Sequence, residues 1–359
     1  MSTLTAPAEV TGMRKPRLPR FAPLLVGAVA VAAGVLIGML LDTGVVPMAI
    51  FAGLIFLTAL PLWSVAVENR RAAMDRLMTS LVWTAFVLAM VPLLSLIWTV
   101  VENGISQIDG TFLSYSAFRT SLDQPTGIFH AMVGTLMVTL WATLIAVPIG
   151  IFAAIYLVEY GKKNRLAKAI TFLVDVMTGI PSIVAGLFAL ALFILFLGPA
   201  VRMGIMGSVA VALLMVPIVV RSTEEMLRLV PEDLREASYA LGVPKWRTIV
   251  KVVIPTALGG IVTGVTLAIA RVVGETAPLL ITAGLTDKTN WNAFSERMTT
   301  LPVYIFSQNA NPGVRPPGGG MPEGIAHAWG GALVLIVIVM LLNLIARVVG
   351  KIYAPKTGR

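Results

Sequence analysis

Eight long apolar runs constrain this 359-residue chain more than any other feature of its sequence. A helical run of about 20 apolar residues matches the hydrocarbon thickness of a bilayer. The runs cover residues 22–41, 46–67, 77–101, 132–158, 170–197, 205–220, 252–281 and 329–349. Only 13% of the residues are charged, against roughly a quarter in soluble domains, so a water-soluble fold is excluded. The sequence predicts an all-α polytopic bundle with about eight transmembrane spans.

Lysine and arginine are distributed unevenly over the loops between these runs. With the amino terminus in the cytoplasm, 21 of these residues fall inside and five fall outside. Cytoplasmic loops of inner-membrane proteins carry such an excess, so both termini are predicted to be cytoplasmic. The first run is about 20 residues long and leads directly into a second run, which favours an anchor over a cleaved signal peptide. The net charge of +9 therefore indicates topology rather than nucleic-acid binding.

The longest predicted cytoplasmic loop, residues 221–251, contains the start and stop signals of two short helices. Pro231 suits a first helical position, and the two acidic residues after it suit the positive first turn. Gly242 suits the left-handed position just beyond a helix end, and Pro244 restarts the chain. The pattern predicts a helix over residues 231–241.

One face of this predicted helix is apolar. Its members are Leu234, Ala237, Ala240 and Leu241. Such a ridge suits a groove on a partner protein. It equally suits the headgroup layer of a membrane. Periodicity alone leaves both interpretations open.

Three ionisable residues, Asp175, Arg271 and Glu275, lie within or against apolar runs. A charge at the bilayer centre costs at least about 2.5 kcal/mol, so such groups usually face a partner or a water-filled path. Arg271 and Glu275 are four residues apart, which allows an ion pair along one helix face. Alternatively, Arg271 and Arg221 line a path for a tetrahedral oxyanion, which guanidinium groups match, and Glu275 tempers the field of Arg271. Asp175 belongs either to this path or to the cytoplasmic interface.

Residues 236–242, Glu-Ala-Ser-Tyr-Ala-Leu-Gly, resemble the EAA motif of binding-protein-dependent ABC importer permeases. The resemblance implies a coupling helix that docks on an ATPase subunit. The residues that it assigns to coupling are Glu236, Ala237, Ser238, Gly242 and Pro255. Ser238 stands where the family usually has alanine, which exchanges one small residue for another.

Four further segments resemble the phosphate permease branch of this superfamily, the PstA family. They are residues 150–160, 178–186, 219–225 and 270–280, within a similarity that runs from about 127 to 346. The string Gly-Glu-Thr-Ala-Pro at 274–278 is fairly specific for this branch. The resemblance implies a type I ABC importer permease that transports inorganic phosphate, with Arg221, Arg271 and Glu275 important for transport.

The same resemblance implies partners in an inner membrane. These are a second permease of the PstC type, a dimer of PstB-type ATPase subunits and a periplasmic phosphate-binding protein of the PstS type. ATP and magnesium belong to the ATPase, because this chain has no Walker motif. The chain is therefore predicted to be a non-catalytic subunit that binds no cofactor. Its two histidines, His130 and His327, lack other ligands at metal spacing, so no metal site is predicted.

The sequence divides into four predicted parts. Residues 1–73 hold an amino-terminal segment and two spans beyond the usual six of the family, and residues 74–131 hold the third span and an external segment. Residues 132–350 form the permease core, with the coupling loop at 221–251, and residues 351–359 form the tail.

Other functions stay open on the sequence alone. A sulfate, molybdate or phosphonate permease would also suit an arginine-lined path. A secondary transporter would need its own coupling-ion site, and no convincing internal repeat supports one. A scaffold or sensor without transport would make Arg271 a structural residue.

Overall fold

The computed structural model describes residues 18–119, 124–161, 164–315 and 318–353. Residues 1–17 of the predicted amino-terminal segment and 354–359 of the predicted tail lie outside these ranges. The chain divides into two compact units, Met1–Trp98 and Thr99–Arg359.

The described residues form fourteen α-helices. The first three are α1 (Ala22–Leu40), α2 (Val45–Val67) and α3 (Arg70–Gly104), and the short α4 (Gly110–Ser114) follows them. The next four are α5 (Phe129–Ile155), α6 (Arg165–Thr178), α7 (Ser182–Leu197) and α8 (Gly204–Arg228). They are followed by α9 (Glu232–Ala240), α10 (Lys245–Thr248), α11 (Ile254–Val273), α12 (Ala277–Thr282), α13 (Leu301–Ala310) and α14 (Glu323–Tyr353). Two π-helical turns, Tyr156–Tyr160 and Ile249–Val253, extend α5 and join α10 to α11.

In the first unit, α1 and α2 form a closely packed hairpin. A Cβ atom at Gly34 would lie 2.6 Å from the backbone nitrogen of Ala52, and one at Gly38 would lie 2.1 Å from the Met48 side chain. Small residues four apart let the backbones of membrane helices approach in this way. The first two spans of the chain therefore pack against each other.

Hydrogen bonds to the Glu68 carboxylate stabilise one end of this hairpin. This carboxylate accepts hydrogen bonds from the Leu18 N–H (2.8 Å), the Ser64 hydroxyl (2.7 Å) and two guanidinium nitrogens of Arg76 (both 2.9 Å). The Arg76 hydrogen bonds, followed by those from Ser64 and Leu18, hold the pKa of Glu68 at about 2. The start of α1 thus lies beside the end of α2.

In the second unit, α5, α8 and α11 build the core. Its buried members are mostly small or β-branched and include Val138, Ala142, Ala146, Val211, Ala212, Met215, Val219, Ala268 and Val272. A Cβ atom at Gly150 of α5 would lie only 2.7 Å from the Cβ of Val219 in α8. These two helices therefore touch almost backbone to backbone.

The prediction of one continuous span over residues 170–197 is wrong. The chain bends by 113° between α6 and α7. Gly179 caps α6, and Pro181 takes an extended backbone (φ −58°, ψ 140°) and has no N–H to donate to a preceding turn. The break predicted between the fifth and sixth apolar runs, near residues 198–202, is confirmed, because Gly198 ends α7 with φ +88° and α8 starts at Gly204.

α5 and α8 run in the same direction. At their starts, added Cβ atoms at Gly134 and Gly204 would both lie within 3.1 Å of Met298. At their ends, Arg235, just beyond α8, forms an ion pair with Glu159, just beyond α5. The chain must return between them, so the bent pair α6–α7 counts as one crossing. With the seven helices that are long and apolar enough to span a membrane, this gives the eight crossings predicted. We call the end of the second unit that carries Glu159 and Arg235 the α9 end.

The boundaries predicted for the seventh span, 252–281, are also wrong. Helical structure begins at Lys245, passes through the π turn and ends at Val273. Gly274 caps the helix, and Pro278 cannot donate the hydrogen bond that would continue it into α12. The three residues between α11 and α12 are therefore non-helical.

Candidate transport and coupling site

The predicted helix in the loop after α8 is confirmed as α9. Pro231 precedes its first residue with an extended backbone, and Glu232 and Asp233 occupy its first turn. Gly242 takes the left-handed conformation (φ +74°) two residues after the helix ends. Pro244 then precedes α10, as predicted for a restart.

The apolar ridge of α9 is exposed. Its members Leu234, Ala237, Ala240 and Leu241 all lie at the surface, and Leu241 is 83% exposed. A shallow cavity of about 370 Å³ lies beside the ridge, and its walls include Val243, Arg247, Lys251 and Val252. An amphipathic face of this kind suits a partner groove.

The residues assigned to coupling do not all face outwards. Glu236 and Ala237 are exposed. Ser238 is buried, and its hydroxyl lies 2.8 Å from the Thr248 hydroxyl, so it joins α9 to α10. Pro255 is half-buried and opens α11 directly after the π turn.

Behind the ridge, Arg235 points into the protein. Its Nε and Nη2 donate to Oε1 of Glu159 at 3.2 and 3.0 Å, and both side chains are less than 10% exposed. Nη1 donates to the carbonyl of Val230 (2.7 Å) and Nη2 also to that of Leu227 (2.9 Å). Arg235 thus ties α9 to the ends of both α5 and α8.

Lys245 adds a second tie to the end of α5. Its Nζ donates to the Glu159 carbonyl oxygen and lies 4.7 Å from the centre of the Tyr160 ring. Partial burial, followed by the nearby Glu159 carboxylate, raises the pKa of the Tyr239 phenol on the same side of α9.

A second charged cluster joins α6 to α8. The Arg221 guanidinium contacts the Asp175 carboxylate and donates to Glu224 at 2.8 Å, and Glu224 also accepts from Arg228. This cluster and the Arg235 contacts flank a cavity of about 790 Å³ at the α9 end. Arg221, predicted to line an anion path, therefore shares its charge with two carboxylates.

Of the two alternatives that the sequence left open for Arg271 and Glu275, the ion pair is not formed. α11 ends at Val273, so Glu275 no longer follows the helical spacing that would bring it beside Arg271. Within the described ranges, neither side chain has an ion-pair or hydrogen-bond partner, and Arg271 is exposed on its helix. Arg271 occupies the last turn of α11, where the helix dipole favours a cation.

The segment after Glu275 borders a cavity of about 580 Å³. Its lining includes Thr276, Ala277 and Leu280 on one side and residues of α13 and α14 on the other, among them Ile305 and Trp329. Non-helical backbone at membrane depth occurs where it is covered by protein or lines a water-filled cavity. Two residues of the Gly-Glu-Thr-Ala-Pro string, Thr276 and Ala277, therefore line this cavity.

The two histidines, far apart in sequence, meet at one tyrosine. The His130 ring packs edge-on against Tyr304 at 5.5 Å, and Nδ1 of His327 lies 3.4 Å from the Tyr304 hydroxyl. Burial raises the pKa of that phenol. In the described part of the chain, no group of three histidine or acidic side chains is placed to hold a metal ion.

Sequence reasoning missed Glu159, Arg235 and Lys245. Glu159 lies 76 residues before Arg235, so no helical spacing relates them. A weak signal was present, since Glu159 ends an otherwise apolar span and Arg235 immediately precedes the EAA-like motif.

The EAA-like motif lies on a short exposed helix between the sixth and seventh spans of a polytopic bundle, as the resemblance to ABC importer permeases predicts. Residues 146–359 match the family described as binding-protein-dependent transport system inner membrane component. Phosphate transport system permease protein PstA 1 of Mycobacterium tuberculosis (strain CDC 1551 / Oshkosh) is 43% identical over 282 residues, covering 78% of this chain and 90% of that protein. PstA of Yersinia pestis is 41% identical over 262 residues, covering 71% and 83%.

The chain therefore belongs to the binding-protein-dependent transport system inner membrane component family, in its PstA branch. The resemblance seen in the sequence is confirmed. A solved MetNI methionine ABC transporter is similar over 64% of this chain and 95% of the matched one, with 17% identity and a TM-score of 0.48.

Proposed function

We propose that this protein is the transmembrane permease subunit of an ATP-driven inorganic phosphate importer and forms half of its translocation pathway. The observation that carries the proposal is the 43% identity over 282 residues to a phosphate transport system permease. In this proposal the chain hydrolyses nothing itself. ATP and magnesium are bound by the ATPase subunits.

Arg271 and Glu275 are proposed to line the pathway. An exposed arginine on a membrane-spanning helix, without a partner among the described residues, is costly in lipid and calls for water, a second subunit or an anion beside it. A guanidinium group matches the oxygens of phosphate in charge and geometry. Glu275, four residues on at the helix break, limits how tightly an anion is held. Arg221 contributes at the α9 end, where Asp175 and Glu224 limit its field.

α9 is proposed to be the docking element for the ATPase. Its ridge is exposed and stands beside a shallow groove, and Glu236 and Ala237 share the exposed surface. Gly242 and Ser238 have supporting roles in this proposal, because one shapes the turn after α9 and the other holds α9 to α10. Pro255 then sets where α11 resumes after the π turn.

The proposed assembly lies in the bacterial inner membrane with both termini and the α9 end in the cytoplasm. The positive-inside bias of the sequence supports this orientation. The proposed partners are a PstC-type permease, a PstB-type ATPase dimer and a periplasmic PstS-type phosphate-binding protein. On the opposite side of the membrane from α9, the binding protein would deliver phosphate.

ATP-dependent phosphate uptake by vesicles that hold all four components tests the proposal. Wild type is expected to take up phosphate, and Arg271→Gln is expected to lose uptake in an intact complex. Arg70→Gln is the matched control, because it removes an exposed arginine at the start of α3. Equal uptake by wild type and Arg271→Gln would make Arg271 structural. Uptake of sulfate, molybdate or phosphonate in place of phosphate would reject the proposed substrate.

A further inference from the structure

We infer that Glu159 and Arg235 are positioning residues that make α9 and the end of α5 move as one rigid body, so that motion of the ATPase reaches the membrane span. The inference rests on the proposed docking of α9. It concerns the contacts behind α9, which no ATPase residue would touch.

The donor geometry of Arg235 carries the first step. A guanidinium group has five N–H donors in a planar fork. Here three of its nitrogens serve four acceptors, which are the Glu159 carboxylate, the carbonyls of Leu227 and Val230 and, at 3.5 Å, the exposed Glu232 carboxylate of α9 itself. One side chain of α9 therefore fixes both the distance of α9 from the ends of α5 and α8 and its orientation relative to them.

The backbone of Glu159 carries the second step. The last carbonyl groups of a helix lack partners within the helix. Lys245 donates to the carbonyl of Glu159, so the short α10 is tied to the same residue as α9. Ser238 and Thr248 link α9 to α10 directly. α9, α10 and the end of α5 thus form a closed triangle of contacts.

The energetics indicate what this ion pair contributes. Removing both charges from a buried pair and packing apolar side chains in their place is often neutral or stabilising, because two desolvation penalties disappear. Stability alone therefore does not require charges here. What this pair provides is a fixed geometry, because two N–H groups of Arg235 converge on one carboxylate oxygen of Glu159, which apolar side chains of equal volume do not reproduce.

Paired substitution separates positioning from stability. In the complete complex, Glu159→Met with Arg235→Met removes both charges and keeps the volume. This variant leaves the Leu227 and Val230 carbonyls without Arg235, so it is expected to assemble with a melting temperature between those of Glu159→Gln and wild type, yet to transport at least about 5-fold less phosphate per ATP hydrolysed, the lower range of typical coupling between sites. Glu159→Gln alone leaves the buried Arg235 with only the exposed Glu232 carboxylate, at 3.5 Å, as a counter-charge and is expected to lower the melting temperature as well.

The first unit offers a matched control. Glu68 and Arg76 form an ion pair of the same chemistry at 2.9 Å. Glu68→Met with Arg76→Met is expected to leave phosphate uptake per ATP unchanged. If the Glu159–Arg235 double variant melts above Glu159→Gln and still transports as much phosphate per ATP hydrolysed as wild type, the inference is overturned.

A distance measurement makes the outcome independent of the transported anion. The chain has no cysteine, so spin labels at Asp233→Cys and Phe152→Cys, both exposed positions, report only the α9–α5 distance. This distance is expected to stay constant between nucleotide-free and ATP-trapped complexes and to vary in the double variant. A change of more than about 2 Å in the wild-type background, the scale of helix shifts in switching proteins, would overturn the inference even if phosphate proved to be the wrong substrate.

Discussion

Replacing Gly150 with alanine tests whether α5 and α8 really meet backbone to backbone. The added Cβ would lie 2.7 Å from the Cβ of Val219, which is 0.7 Å short of the 3.4 Å at which ordinary contact begins. The Cβ of Val219 is fixed to its backbone, so no rotamer change relieves the overlap and the helices must separate. Overpacking of this kind costs about 1–3 kcal/mol.

Gly259 in α11 provides the control, because an added Cβ there would meet nothing within 4 Å. Alanine is favoured over glycine in a helix by about 1 kcal/mol, so Gly259→Ala is expected to stabilise the protein by that amount. Gly150→Ala gains the same helix propensity but suffers the overlap. The two variants are therefore expected to differ by about 1–3 kcal/mol, which is the packing cost alone.

Equilibrium unfolding in mixed detergent micelles, followed by circular dichroism, measures both free energies under the same conditions. Equal stabilisation by the two alanine substitutions would refute the close approach of α5 and α8. It would also remove the physical reason given for a glycine at position 150.

Two further predictions concern the hairpin of the first unit and the end of α9. Glu68→Gln removes the charge that the partly exposed Arg76 faces and is expected to cost about 2 kcal/mol, which hydrogen exchange of the Leu18 amide would report as lost protection. Because the pKa of Glu68 is about 2 in the folded protein and 4.5 ordinarily, wild type is expected to keep this protection above pH 4.5 and lose it as the pH falls towards 2. Gly242→Ala forces a side chain into the left-handed region and is expected to cost about 1–2 kcal/mol, seen as faster exchange of the α9 amides. Gly242→Asn should cost less, and equal exchange in both variants would contradict the role of the positive φ.

Apolar run length predicted the crossings of this protein well, because a helix in lipid must satisfy its own backbone over the full hydrocarbon thickness. The local helix start and stop signals predicted α9 well, because Pro231, Gly242 and Pro244 act through their own backbone geometry. Both signals depend only on residues near each other in sequence.

The breaks inside apolar runs were harder to predict. Pro148 and Pro217 lie inside continuous helices, whereas Pro181 and Pro278 follow breaks in the chain. The breaking prolines follow Gly179 and Gly274 by two and four residues. Whether a proline kinks or ends a helix depends on the neighbours that satisfy the freed carbonyl, and these come from distant sequence.

The charged contacts at the α9 end were out of reach for the same reason. Hydropathy shows that Asp175 is costly in a membrane but does not reveal its contact with Arg221 on another helix. At Arg271 and Glu275 the limit was the opposite one, because spacing along one helix left open a pair that the end of α11 prevents.

The π turn at Ile249–Val253 changes how positions on the seventh span must be counted. A helical wheel assigns faces by advancing about 100° per residue, and one extra residue in a turn offsets that count. A wheel drawn from Lys245 through Arg271 as one α-helix therefore rotates the two residues relative to each other by about 100°. The helix face on which Lys245 and Arg247 lie should be assigned within α10 alone. The face on which Arg271 lies should be counted from Ile254, where the α-helical register begins again.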